Sequence, residues 1–125
     1  MVLADFYNIL DRQVRENGKH LLEIRIHPDH PIFGGHFPGR PVTPGVCMLQ
    51  IIKNTAEDIL QAKIRMHSAK NIRFYAIIDP TVQPIVKLEL VIQETETIQI
   101  KANCSFEDTL ALKMEFNFYR SYPVL

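Results

Sequence analysis

Cysteine is scarce in this chain: Cys47 and Cys104 are too few for a disulfide framework. Both sit in apolar runs and read as two buried thiols in a reducing compartment. Glycine is nearly as scarce, five in 125 residues, so any cluster of glycines carries information. Neither sign of charge is in excess, with 14 Lys plus Arg against 14 Asp plus Glu. That balance gives no electrostatic footprint for nucleic acid or an anionic membrane. No run approaches the roughly 18 apolar residues of a membrane span. The N-terminal MVLADFYNIL lacks the basic start of a signal peptide and carries Asp5. The reading is a soluble cytoplasmic protein with neither nucleic-acid nor membrane partners.

What is present is mostly alternation. Ile98, Ile100, Ala102, Cys104 and Phe106 share one face of a period-two pattern, and Gln99, Lys101, Asn103 and Ser105 share the other. Leu110, Leu112, Met114, Phe116 and Phe118 repeat it, as do Val86, Leu88, Leu90 and Ile92. Such alternation predicts antiparallel strands with one side on a core. The turns are predicted at ETE, 94–96, and ED, 107–108. A further strand is predicted over Ile72, Phe74, Ala76 and Ile78, ended by DPT at 79–81. ENG at 16–18, between RQV and LLEIRI, predicts a hairpin. No repeat, low-complexity tract or linker divides the chain, so residues 1–125 read as one domain.

The segment from Thr43 to Gln61 breaks this rhythm. Its polar residues Gln50, Lys53, Asn54, Glu57 and Gln61 fall on one helical stripe. The rest is apolar as far as Thr55, which predicts a helix whose first half is buried almost all round. Thr43 suits the N-cap, and Pro44 suits the first helical position, where a missing N–H costs nothing. The predicted architecture is α+β, an antiparallel sheet wrapped around one long buried helix.

Just before the helix lies GGHFPGRPVTPGV, where four of the five glycines gather. Gly34, Gly35 and Pro38 force a tight path around His36. Gly45 falls in the first helical turn, where backbone N–H groups have no intrahelical partner. Glycine there leaves room for a ligand, and a free N–H of Gly45 or Val46 can bond a polarised carbonyl oxygen. The stretch thus offers a base candidate, His36, beside an oxyanion-type donor. On residue types alone, a rigid loop with a structural histidine stands beside that reading.

The order His-Phe-Pro-Gly, one variable residue, Pro, two residues, Pro-Gly resembles the signature of the beta-hydroxyacyl-ACP dehydratase family. The order of elements fits over most of the chain. The resemblance implies a hotdog fold, His36 as catalytic base, and the Gly45 N–H as the group that holds the thioester carbonyl. It implies a homodimer or higher even oligomer, with the acyl tunnel at the subunit interface. Its substrate would be a 3-hydroxyacyl chain on a phosphopantetheine arm, borne by acyl carrier protein or coenzyme A. No cofactor is implied. Phe33, Phe37 and Phe74 are candidates to line the tunnel; plain core is the other reading, and the two are not exclusive.

The departure is at residue 50. The family carries Glu or Asp fourteen positions after the histidine, and here that position is Gln50. Loss of a general acid typically costs about 10²–10⁴-fold. Gln50 either starts the solvated stripe or faces His36 and orients a hydroxyl or water. Glu57, about 10 Å further along the helix axis, is too far to replace it and reads as solvated. The proline-glycine turn that follows the RF strand in the family is replaced by DPTVQP. His27 and His30 could suggest a metal with His36, but no convergent carboxylate accompanies them and no metal is expected. His20 and His67 read as surface residues. The activity expected is a hydro-lyase acting on 3-hydroxyacyl thioesters in fatty-acid or polyketide-type synthesis, with altered or weakened chemistry. A thioesterase on the same fold, or a non-catalytic carrier-binding or partner subunit, are the alternatives.

Overall fold

The hairpin is the first element of the computed structural model, which describes residues 5–34 and 41–121. Strands β1 (Tyr7–Val14) and β2 (His20–Ile26) pair antiparallel. Between them Gly18 takes φ 79°, which favours glycine, and its N–H reaches the Arg15 carbonyl. A 3-10 turn over Pro31–Gly34 follows. Then come α1 (Gly45–Leu60), β3 (Ile64–Phe74), β4 (Ile85–Glu94), β5 (Ile98–Phe106) and β6 (Thr109–Arg120). Among the described residues the six strands form one sheet in the order β1-β2-β4-β5-β6-β3, with every pair antiparallel. No helix among these residues is long and apolar enough to cross a membrane.

The apolar faces of the alternating strands meet α1. Ile24, Leu88, Leu90, Ile100, Leu112 and Phe118 are buried with Cys47, Met48, Ile51, Ile52 and Ala56 of the helix. This is the hotdog arrangement, one helix in the concave face of an antiparallel sheet. The far end of the helix is tied down twice. Arg12 of β1 pairs with Asp58 at 2.6 Å, and the Glu57 Oε2 accepts the Ile64 N–H at 3.0 Å. Glu57 therefore anchors the start of β3 instead of standing free in solvent.

Several local expectations change. Thr43 does not cap the helix. Pro44 occupies the N-cap with extended backbone, without a side-chain cap, and the Thr43 hydroxyl is buried with no partner among the described residues. The Thr43 N–H instead bonds the Ile78 carbonyl at 2.9 Å, which draws its residue away from the helix end. The first half of α1 is not buried all round, because Val46 is 54% exposed and Leu49 and Gln50 are half-buried.

The strand predicted at 72–78 lies instead at Ile64–Phe74. Tyr75 and Ala76 both give their N–H to the Ala111 carbonyl, which ends the regular ladder. Residues 65–71 show no apolar alternation because β3 is an edge strand that is exposed throughout beyond Ile64. On β6 the alternation slips by one residue. A register shift at Cys104/Ser105 leaves Leu110 exposed and buries Ala111 beside Leu112.

Ile51 sits fully buried on the sheet-facing side of α1. Ile51→Ala is expected to cost about 2–5 kcal/mol by lost burial and cavity formation. Urea unfolding of the two proteins measures it, and a change below about 1 kcal/mol would mean that the helix is not the centre of the core.

Candidate functional site

The site builds outward from the first turn of α1. The Pro44 carbonyl accepts the N–H groups of Cys47 at 3.0 Å and Met48 at 3.4 Å. Proline itself has no N–H, so the next two residues, Gly45 and Val46, present theirs with no acceptor among the described residues. The positive end of the helix dipole adds to their pull on a negative oxygen. Gly45 lies on the wall of an apolar groove of about 570 Å³, between Val42–Gly45 and Met48 on one side and Phe74–Ile78 with Leu112 on the other. An apolar trough with hydrogen-bond donors at one point suits a ligand with a hydrocarbon tail and one polarised oxygen.

Glycine at position 45 has a second cause that the sequence did not disclose. A Cβ built there would lie 2.6 Å from Phe74 Cζ and 3.0 Å from its Cε1. The Phe74 ring, 62% exposed, thus rests against the glycine and forms part of the groove wall. Phe33, by contrast, belongs to the core, stacked on Phe6 with ring centroids 5.6 Å apart, and does not line the groove. His36 and Phe37 lie outside the described residues.

Gln50 has a partner. Its Nε2 donates to the Asn54 Oδ1 one turn further along α1, at 2.8 Å, and both side chains are half-buried. The stripe read from the sequence is real, and Gln50 is its first polar member. Its amide is held along the helix and leaves the carbonyl oxygen for another donor. The other titratable candidates have structural occupations. Asp79 Oδ1 accepts the N–H and hydroxyl of Thr81, which shapes the DPT turn. The His30 ring packs edge-on to Phe6 and its Nδ1 accepts the Ile32 N–H, while His27 faces Arg25 at 3.2 Å. His67 lies against the Tyr119 ring, and His20 is half-buried with its Nδ1 unpartnered among the described residues. No group of three metal-ligating side chains forms among the described residues. Burial pushes the Cys104 thiol up to about 12 and raises that of Cys47, so neither offers a thiolate nucleophile.

Gly45→Ala is expected to destabilise the chain because the new methyl meets the Phe74 ring. In a Phe74→Ala background that cost should vanish, a coupling on the order of 0.5–3 kcal/mol in a double-mutant cycle read by denaturant unfolding. Equal costs in both backgrounds would overturn the contact.

Known proteins share this fold and sequence. A 3-hydroxyacyl-[acyl-carrier-protein] dehydratase FabZ of Hydrogenobaculum sp. is 30% identical over 93 residues, which span 72% of this chain and 63% of the relative. The dehydratase heterocomplex ApeI:P from Xenorhabdus doucetiae superposes with a TM-score of 0.67 at 19% identity, covering 90% of this chain and 97% of that one. An uncharacterized protein from Erwinia carotovora subsp. atroseptica gives 0.67 at 22% identity, covering 92% and 95%. The sequence matches the ApeI-like family, described as ApeI dehydratase, over residues 12–113. That match takes in β2 to β5, α1 and the groove, and the chain belongs to the ApeI-like dehydratase family.

Proposed function

We propose that the protein interconverts 3-hydroxyacyl and trans-2-enoyl thioesters, as a dehydratase of fatty-acid or polyketide-type synthesis. The observation that carries this reading is the pair of free N–H groups of Gly45 and Val46 at an apolar groove, nine and ten residues after His36. The acyl chain lies in the groove and the thioester oxygen meets the Gly45 N–H. His36 removes a proton from C2, and the negative charge that gathers on the thioester oxygen is held by the helix end. The C2–H bond electrons form the C2=C3 double bond as the C3–O bond breaks. The departing hydroxyl needs a proton. Gln50 can orient it but has no proton to give, so the proton taken by His36 is returned to it and leaves as water.

The same reading completes the site with a second copy of the chain. β3 is an edge strand whose exposed Met66, Ile72 and Phe74 accompany the exposed Val46 of α1. An open apolar edge of this kind pairs with a partner or aggregates. In the family resemblance it is across such an interface that residue 50 meets the histidine, and the reading gives Gln50 that role. A cytoplasmic setting accords with two buried free thiols. Acyl carrier protein or coenzyme A would bear the thioester. The heterocomplex among the structural relatives supports a mixed dimer as a second reading, in which a partner subunit brings a carboxylate that this chain lacks.

His36→Ala is expected to abolish hydration of a short trans-2-enoyl thioester while leaving the unfolding midpoint within error, measured by loss of enoyl absorbance. Wild-type turnover in that variant would make the histidine structural. Gln50→Glu keeps the size and adds a proton donor, so hydration should rise at least about tenfold, and the gain should be absent in the His36→Ala background. An unchanged rate in a folded Gln50→Glu dimer would show that residue 50 does not reach the hydroxyl. Release of free thiol in the same assay, with no change at C2=C3, would replace the dehydratase reading with a thioesterase.

A further inference from the structure

Two buried side-chain polar atoms have no hydrogen-bond partner among the described residues, the Thr43 hydroxyl and the His20 Nδ1. His20 opens β2 opposite Val14 and Leu90, away from the groove. Thr43 lies in the groove wall itself and is 7% exposed. A buried hydroxyl without a partner lowers the stability of the folded chain. Valine has the same shape without that cost, so packing alone does not account for threonine at this place.

The surroundings make Thr43 the one deep polar side chain of the groove. Tyr75, the other wall residue with a side-chain oxygen, is 52% exposed. Val42, Met48, Ile77, Ile78 and Leu112 offer apolar side chains. The backbone of Thr43 is fixed, because its N–H bonds the Ile78 carbonyl at 2.9 Å. Pro44 follows in extended conformation, with φ −63° and ψ 142°. That extended step sets Thr43 and Gly45 roughly 7 Å apart along the wall. The groove therefore has two polar points in series, the N–H groups at the helix end and a hydroxyl a short span away. The hydroxyl is closed to water in this structure. Threonine branches at Cβ, so one turn between staggered rotamers exchanges its hydroxyl with its methyl group.

We propose that Thr43 is a specificity-determining residue whose hydroxyl donates a hydrogen bond to the first amide carbonyl of the arm that bears the thioester. The proposal rests on the reading of the groove as a thioester site. With the thioester oxygen on the Gly45 N–H, the oxygen on C3 lies too close to that point to meet Thr43. The arm's first amide begins two methylenes beyond the sulfur, a reach of the order that separates the two polar points. Its carbonyl is a strong acceptor, and the apolar walls offer it no other donor. As the arm enters, the side chain turns about its Cα–Cβ bond and brings the hydroxyl to the amide. The unpaired hydroxyl of the free protein thus gains its partner on binding.

The test uses one enoyl group, crotonyl, on two bearers. The N-acetylcysteamine thioester carries the amide, and the S-ethyl thioester does not. Thr43→Val should lower the ratio of kcat/KM between the first and the second about fivefold, mostly through KM, the size of one neutral hydrogen bond. Thr43→Ser keeps the hydroxyl and should restore the ratio. An unchanged ratio in Thr43→Val overturns the proposal, whether neither rate falls or both fall alike. Thr43→Val should also resist urea at least as well as wild type, because it removes a hydroxyl that nothing pairs. A lower unfolding midpoint would give the hydroxyl a structural partner and likewise overturn the proposal. If the wild type turns over neither thioester, the catalytic reading fails, and binding still decides the contact. S-butanoyl-N-acetylcysteamine should then raise the wild-type unfolding midpoint more than S-ethyl thiobutanoate does, and Thr43→Val should lose that difference. Equal midpoints with the two ligands in wild type would sink the contact.

Discussion

Burial of one side of α1 in the concave face of the sheet is the interaction on which the rest depends. Met48, Ile51 and Ile52 are almost wholly removed from water there, as are Leu88, Leu90 and Phe118 that receive them. Each such side chain contributes about 1.5–3 kcal/mol by leaving solvent. The contact does more than hold the core. It sets the height at which the helix begins, and so where the N–H groups of Gly45 and Val46 emerge. The Arg12–Asp58 pair and the Glu57–Ile64 bond hold the other end of the helix.

The same packing decides what stays open. A helix has more sides than one sheet can cover, and the strip from Val46 through Gln50 to Lys53 is only partly covered. The edge strand β3 extends past the helix with its apolar residues uncovered. The groove forms where these two incomplete surfaces meet, with Phe74 lying on Gly45 as the hinge between them. A site at the margin of the core can be apolar enough for a hydrocarbon chain and still open to solvent at one end. The pleat does the complementary sorting on the other side, sending Lys101 and Lys113 outward while their neighbours Ile100, Ala102, Leu112 and Met114 enter the core.

Most of the fold was legible because its signals are local. The alternation at 86–92 and 98–106 reports a half-buried strand whatever it pairs with, and ENG, ETE and ED mark turns by their own backbone preferences. β3 was misplaced because an edge strand exposed throughout beyond Ile64 has no need of alternation. Leu110 was assigned to the core because the bulge that inserts Ala111 on β6 opposite Cys104/Ser105 is set by pairing with β5 and leaves no trace in the alternation of the run. Thr43 has the composition of an N-cap, but the Ile78 carbonyl, thirty-five residues away, claims its backbone.

The sequence by itself determined the strand-forming faces, the helix with its polar stripe, and the ordered motif from His36 to Gly45, since each depends on residues close along the chain. It also put Gln50 at the position where the family resemblance implies a carboxylate. Only the tertiary structure decided what each of these touches. It gave Gln50 its partner in Asn54, set the Phe74 ring on Gly45, and placed Phe33 in the core. The reason is physical: which residues meet across a sheet or at a helix end follows from strand order and register. Those are properties of the whole packed chain, and no single segment carries them.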